Sequence, residues 1–275
     1  MPRREVMLHP RQERPETSRF ALVVLLLAGL SLGGWVVLTV QDTHILYNEA
    51  SAINSATPAV VASVDIGDRT VHVPSWEFFR SGALWSLVTT SRPLNQDFVP
   101  SLEPITVATS SEGDMRLRPE TNRALTQLFA AAQDSDVELM VSSAYRSAAD
   151  QQAVYDQYLS TRGRAYVNAY VAKPGTSEHQ SGYAVDIASA SKECTADSDI
   201  CTLAPNGIAW LEQHAPQYGF IQRYPAGKQS ITGVAGEAWH YRYVGTTLAR
   251  ALSDNGFTLD EFVKQIAPGY AGRRE

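Results

Sequence analysis

The longest break in the alternation of apolar and polar positions is Phe20 to Val40, 21 residues without a charge and polar only at Ser31 and Thr39. At about 1.5 Å rise per residue such a run makes a helix of roughly 30 Å, matching the hydrocarbon thickness of a bilayer. It has no polar face, which a helix on a soluble core keeps, so the pattern predicts one membrane-spanning helix over 20–40. From Gln41 to about Leu87 the pattern is weak, small and polar, with a loose alternation over Val64 to Val73 that suits a strand or hairpin. This predicts a membrane-proximal stalk over 41–90.

Beyond Arg92-Pro93 the signals sharpen. Ala124, Leu125, Leu128, Phe129 and Ala132 recur at helical spacing, predicting an amphipathic helix over Pro119 to Gln133 with Pro119 favouring its entry. Val137, Leu139 and Val141 alternate as a strand. Ser147 with Asp150 three residues on has the form of a capping box, opening a helix through Gln151, Val154, Tyr155 and Leu159. Arg146 therefore sits at a strand-to-helix junction. Lys173-Pro174-Gly175 breaks the chain, and Tyr183 to Ile187 reads as a strand with Ala184 and Asp186 on one face. Asn206 is placed to cap a helix through Trp210 and Leu211. Strands follow over Phe220 to Tyr224 and Trp239 to Val244, then helices near Thr246 to Asp254 and Leu259 to Ile266, the last preceded by Thr258 with Glu261 three residues on. Helices and strands mixed without a βαβ rhythm predict the α+β class. The organisation expected is a tail over 1–19, an anchor over 20–40, the stalk, and one catalytic domain over 91–270.

Charge sets the orientation. Arg3, Arg4, Arg11, Arg14 and Arg19 precede the apolar run, and Gln41, Asp42, Thr43 and His44 follow it. The basic end is expected in the cytoplasm and the remainder outside the membrane. A cleaved secretory signal is the competing reading, but its apolar region usually spans about 7 to 15 residues and ends in an A-x-A-like site, absent near Val40. Residues 1–40 hold five of the 23 Lys and Arg and three of the 29 Asp and Glu, leaving −8 for the exported part. That balance excludes a nucleic-acid footprint. At 44% hydrophobic and 19% charged residues, the composition also excludes a wholly disordered chain and a multi-span membrane protein. The two cysteines, Cys194 and Cys201, lie in a polar stretch; outside the cell they are expected to close a small disulfide loop, with two free thiols the alternative.

Of the six histidines, four have ordinary settings and two stand out: His179 in S-E-H-Q-S-G-Y-A-V-D and His240 in G-E-A-W-H-Y-R-Y. Asp186 follows His179 by seven residues, with Gly182 between them to let the backbone turn. A loop histidine and a strand carboxylate can thus converge, with His240 as third ligand. Two neutral imidazoles and a carboxylate are a common catalytic zinc set, leaving a fourth position for water. Glu237 precedes His240 by three residues. On a regular strand the two point to opposite faces, so Glu237 is expected on the loop entering the strand, within reach of that water. Tyr145, Trp239 and Tyr241 could wall a groove, although aromatic residues in strands are more often core.

These motifs carry a resemblance. S177-E-H-x-x-G-x-x-x-D186 followed by E237-x-W-H240, together with Y145-R-S-A-A-D-Q151, A172-K-P-G and W210-L-E-Q-H-A-P-Q-Y-G-F-I-Q-R-Y-P, resembles the VanY-type D-alanyl-D-alanine carboxypeptidases, a family of zinc metallopeptidases. The likeness covers roughly Leu94 to Arg250. It implies a central, mainly antiparallel sheet flanked by helices, of the Hedgehog-like D,D-peptidase type. It also implies one Zn2+ held by His179, Asp186 and His240, with Glu237 as base, Arg146 engaging substrate and polarised carbonyl, and Ser177 and Gln151 lining the site. Tyr183 and Ala235-Gly236 depart from the family pattern and are expected to reshape the groove. The activity implied is hydrolysis of the terminal D-Ala-D-Ala bond of peptidoglycan stem peptides by Glu-assisted attack of a zinc-bound water. An L,D-carboxypeptidase and a peptidoglycan endopeptidase use the same centre, and a non-catalytic wall-binding module is the rival from another class.

Overall fold

A computed structural model describes residues 36–40, 43–48, 61–67, 69–74, 80–110, 113–190 and 203–266. Strands β1 (Val36–Val40), β2 (Thr43–Asn48), β3 (Val61–Ile66) and β4 (Arg69–Pro74) form an antiparallel sheet in chain order. Two short strands, β5 (Glu103–Pro104) and β6 (Arg116–Leu117), pair with each other. Helix α1 (Pro119–Gln133) leads into β7 (Leu139–Ser143), helix α2 (Ala148–Tyr170) and a 3-10 turn over Glu178–Ser181. Then come β8 (Ala184–Ser189), α3 (Pro205–His214), β9 (Phe220–Tyr224), α4 (Gln229–Thr232), β10 (Glu237–Tyr243), α5 (Thr246–Asn255) and α6 (Leu259–Ile266).

The central sheet runs β7-β8-β10-β9 with every pairing antiparallel, which bears out the expected α+β fold. Its strands alternate. Val185, Ile187, Phe220 and Tyr241 enter a core with Leu125, Leu128 and Phe129 of α1 and Leu211 of α3. Tyr241, 1% exposed, is thus a core residue rather than a groove wall. Ile221 on β9 belongs to a second core with Leu248 and Leu252 of α5 and Phe262 and Val263 of α6.

Val64, Ile66 and Val71 also belong to that second core. The hairpin expected within a stalk therefore packs as part of the folded unit, because its alternate apolar positions meet the apolar faces of α5 and α6. The five last residues of the apolar run, Val36–Val40, are strand rather than helix; three valines among them favour extended backbone. Residues 20–35 lie outside the described residues, as does the Cys194–Cys201 pair. No helix among the described residues is long and apolar enough to cross a membrane.

Helix ends show which local signals carried. Ser147 caps α2, its hydroxyl accepting from the Asp150 amide at 3.1 Å and donating to the Asp150 carboxylate at 2.6 Å. Asn206 does not cap α3: the N-cap is Ala204, and Pro205 takes the first helical position, its fixed φ starting the helix without a capping side chain. Helix α2 runs on to Tyr170 through a non-helical residue, Gly163, at φ 81°.

Candidate metal centre

The site lies on the two inner strands of the central sheet, β8 and β10. Cross-strand pairing sets His240 of β10 directly opposite Asp186 of β8, with the core pair Tyr241 and Val185 next along the strands facing away. His179 comes from the 3-10 turn that leads into β8. Gly182 closes this turn at φ 72°, and its amide donates to the His179 carbonyl at 3.1 Å. A side chain there would be strained by the positive φ and would press on Arg118, Leu102 and Pro100, its Cβ 3.0 to 3.2 Å from their carbons. The turn residue expected from sequence is therefore required by both backbone and space.

His179, Asp186 and His240 each offer a ligand atom, and the three atoms lie within 4.8 Å of one another. His179 Nδ1 is 2.7 Å from the Ala144 carbonyl, which can only accept, so Nδ1 carries the proton and the Nε2 lone pair is left facing Asp186 Oδ2 at 3.3 Å. His240 Nδ1 is 2.9 Å from Asp186 Oδ1. Burial holds the His179 imidazole below its usual pKa against the pull of Asp186. Burial also opposes charge on His240, but the hydrogen bond to Asp186 and the nearby carboxylates of Glu178 and Glu237 outweigh it and raise that pKa to about 10. One imidazole refuses a proton and the other attracts one, with a carboxylate between them. A divalent cation satisfies all three, and the N, O, N donor set is one that zinc takes.

Glu237 differs from expectation in its backbone. It is the first residue of β10, not a loop residue, and between Glu237 and Tyr241 the register against β9 shifts, β10 advancing four residues while β9 advances two. This bulge cancels the alternation that would send residues 237 and 240 to opposite faces. Glu237 Oε2 accordingly lies 3.9 Å from His240 Nδ1. Burial pushes the Glu237 carboxyl above its ordinary range, partly opposed by His240 and reinforced by the charges of Asp186 and Glu178.

Arg146 sits between β7 and α2 as expected, its guanidinium donating to Gln151 Oε1 at 3.0 Å and to Ser143 Oγ at 2.7 Å. Gln151 is buried and donates in turn to the Ala172 carbonyl at 2.8 Å, so it orients Arg146. Ser177 is buried one residue before the turn that carries His179. Tyr183 packs inside the fold. It is 5% exposed, with the Arg118 guanidinium 4.4 Å from its ring centroid, and burial raises its phenol to about 12.

The sequence reading assigned no role to a second layer. Glu178, fully buried, lies between Arg223 (Nε to Oε1, 2.8 Å) and Arg242 (Nη1 to Oε1, 3.3 Å), and its other oxygen faces His240 Nε2 at 3.7 Å. Arg223 also pairs with Asp260 of α6. Two positive guanidiniums overcome the cost of burial and hold the Glu178 carboxyl far below its usual range. The one available signal was chemical: Glu178 adjoins a ligand histidine, and Arg223 and Arg242 each stand directly beside aromatic residues in strand sequences, Arg223 before Tyr224 and Arg242 between Tyr241 and Tyr243.

An antiparallel sheet bearing a buried His, Asp, His cluster with a carboxylate of raised pKa beside it defines the class of metal-dependent hydrolases. Comparison with known proteins narrows the class. Residues 114–246 match the sequence profile of VanY, D-alanyl-D-alanine carboxypeptidase. A D-alanyl-D-alanine carboxypeptidase of Enterococcus faecalis is 36% identical over 191 residues, covering 65% of this chain and 66% of the relative. The chain thus spans just under two thirds of that curated relative. Among solved structures, the LdcB LD-carboxypeptidase superposes with a TM-score of 0.60 at 35% identity, covering 67% of this chain and 87% of that one. The vancomycin-resistance D,D-pentapeptidase VanY solved with Zn(II) gives 0.55 at 32% identity, covering 66% of this chain and 98% of the other. The chain belongs to the VanY family of D-alanyl-D-alanine carboxypeptidases. The metal in that solved relative agrees with the donor set found here, so the cofactor that fits is zinc.

Proposed function

We propose that the protein is a zinc carboxypeptidase that removes the terminal D-alanine from peptidoglycan stem peptides ending in D-Ala-D-Ala. The observation that carries this is the convergence of His179 Nε2, Asp186 and His240 Nδ1 from two paired strands and a turn, with Glu237 Oε2 3.9 Å from one ligand nitrogen. These three side chains would hold the metal, which when bound supplies Lewis acidity toward water and the scissile carbonyl. Glu237 takes the proton of the attacking water and passes it to the departing amine, and its raised pKa suits both transfers. Arg146, oriented by Gln151 and Ser143, presents a permanently charged planar fork to the substrate carboxylate or the developing oxyanion. Ser177 is placed to line the same site.

A second reading, L,D-carboxypeptidase action on tetrapeptide stems, is supported by the likeness to the LdcB LD-carboxypeptidase, with a TM-score of 0.60 at 35% identity. Metal analysis combined with hydrolysis of penta- and tetrapeptide stems of defined sequence tests both. Release of D-alanine from the pentapeptide supports the first reading, and release only from the tetrapeptide replaces it with the second. The uncharged residues 20–35 that precede β1 in sequence, and the arginines before them, support a catalytic unit held outside the membrane with residues 1–19 in the cytoplasm. Fractionation with protease accessibility checks that placement, and a catalytic unit shielded in intact cells would overturn it.

A further inference from the structure

Behind the metal ligands lies a line of buried charge that no ligand assignment uses. His240 Nε2 and Glu178 Oε2 are buried and have no hydrogen-bond partner, yet they face each other at 3.7 Å. That separation is longer than a hydrogen bond, and closing it by about 1 Å would satisfy both atoms at once. Glu178 cannot turn away, because its other oxygen is gripped by Arg223 at 2.8 Å and Arg242 at 3.3 Å. Arg242 is anchored by donating to the Leu84 carbonyl at 3.0 Å, and Arg223 by Asp260 on α6. Asp260 lies beyond residues 114–246, the part of the chain matched to the family.

We infer that Glu178 is a positioning residue for the metal centre, accepting a hydrogen bond from His240 Nε2–H so that Nδ1 presents its lone pair to the cation, and that Asp260 of α6 completes this support through Arg223. The inference deepens the zinc reading above and rests on it. Chemically the demand is simple. A ligand imidazole must keep one nitrogen unprotonated, and the group that holds the proton on the other nitrogen fixes tautomer and ring angle together. A carboxylate pinned by two guanidiniums does this more rigidly than a water would. The last link reaches α6, so docking of that helix bears on zinc affinity through Asp260, Arg223 and Glu178.

The test is zinc affinity, measured by competition with a chromophoric chelator on full-length protein, for wild type, Glu178→Gln, Asp260→Asn and the double variant. Outer-shell partners of this kind change metal affinity by about 10- to 100-fold. Glu178→Gln is expected to weaken zinc by that factor. Asp260→Asn is expected to weaken it by a smaller factor in the wild-type background and to have no further effect once Glu178 is changed, because the support has already been cut. Circular dichroism below the unfolding midpoint verifies that each variant is folded, and Asp260→Asn at the edge of the network serves if Glu178→Gln is not. Zinc affinity of Glu178→Gln within twofold of wild type overturns the inference, as does an Asp260→Asn loss that is equal in both backgrounds. A wild type that binds zinc but leaves stem peptides intact fails the functional reading alone, since the support is judged on metal affinity and not on turnover.

Discussion

At the scale of single residues, the decisive group is Glu237, whose carboxyl is pushed up by burial while His240 pulls against the rise and Asp186 and Glu178 add to it. A carboxylate so tuned takes the proton of water more readily than an exposed one and keeps it until the leaving amine, a far stronger base, collects it. Replacing it by glutamine keeps the shape and removes proton transfer, so Glu237→Gln is expected to lower kcat by about 10²- to 10⁴-fold with one zinc still bound per chain. Turnover and zinc content measured on the same sample decide it, and undiminished turnover would remove Glu237 from the mechanism. His179, Asp186, His240 and Glu237 were readable beforehand because their chemistry is rare at such spacing. Glu178, Arg223, Arg242 and Asp260 were not. Charged residues are normally exposed, and only the folded sheet reveals that these four meet, one of them on a helix 82 positions away from Glu178 in the chain.

Elements were legible where the signal is local and chemical. The capping box at Thr258 formed as expected: the Glu261 amide donates to Thr258 Oγ1 at 3.1 Å, and the Thr258 amide donates to Glu261 Oε2 at 2.8 Å. Removing the hydroxyl with Thr258→Ala is expected to cost about 1 kcal/mol, or a midpoint lower by about 2–4 °C, in thermal unfolding. Charge contributes as well. Burial is the largest single influence on the Glu261 carboxyl and raises it, but the Thr258 amide and hydroxyl and Lys228 Nζ, 3.1 Å away, together bring it below its ordinary 4.5. A folded-state pKa below the unfolded one gives stability that is complete above pH 4.5 and fades as pH falls through the depressed value. The stability gap between wild type and Glu261→Gln should therefore narrow on acidification from pH 7 to pH 3 in denaturant titrations. A gap independent of pH would show that charge plays no part in this cap. The β10 bulge, by contrast, could not be read from composition, since a shift of register is decided by the partner strand β9 and not by residues 237–241 alone.

For the whole molecule, two cores flank one sheet, and the metal centre lies where β8 and β10 meet the turn at Glu178–Ser181. Zinc joining β8, β10 and the turn binds the native state alone, so at about 100 times its dissociation constant it should add about 2.7 kcal/mol. Chelation is then expected to lower the unfolding midpoint by about 5–10 °C, reversibly on adding zinc back, and an unchanged midpoint would argue against a site that spans these elements.

The boundary of the catalytic unit follows from the same packing. Sequence pattern placed it at residue 91, because the chain before that point is small and polar and its single alternating stretch gave no sign of what it covers. Val64 and Ile66 of β3 and Val71 of β4 are in fact at most 3% exposed, closing the core formed by Leu248 and Leu252 of α5 and Phe262 of α6. Arg69 reinforces this seam through Asp254 at the end of α5, its Nε 2.8 Å from the carboxylate, though both groups are exposed and the pair adds little. Three buried aliphatic side chains at about 1.5–3 kcal/mol each are a large fraction of the 5–15 kcal/mol that holds an ordinary domain folded. A chain beginning at residue 91 should accordingly express poorly or unfold far below one beginning at residue 61, and it should lose zinc with the loosening of α6, since Asp260 is carried on that helix. Parallel unfolding curves and zinc titrations of the two chains test this together. Equal midpoints would return the hairpin to the role of a spacer, and equal zinc affinity with unequal midpoints would separate the support of the metal centre from the stability of the core.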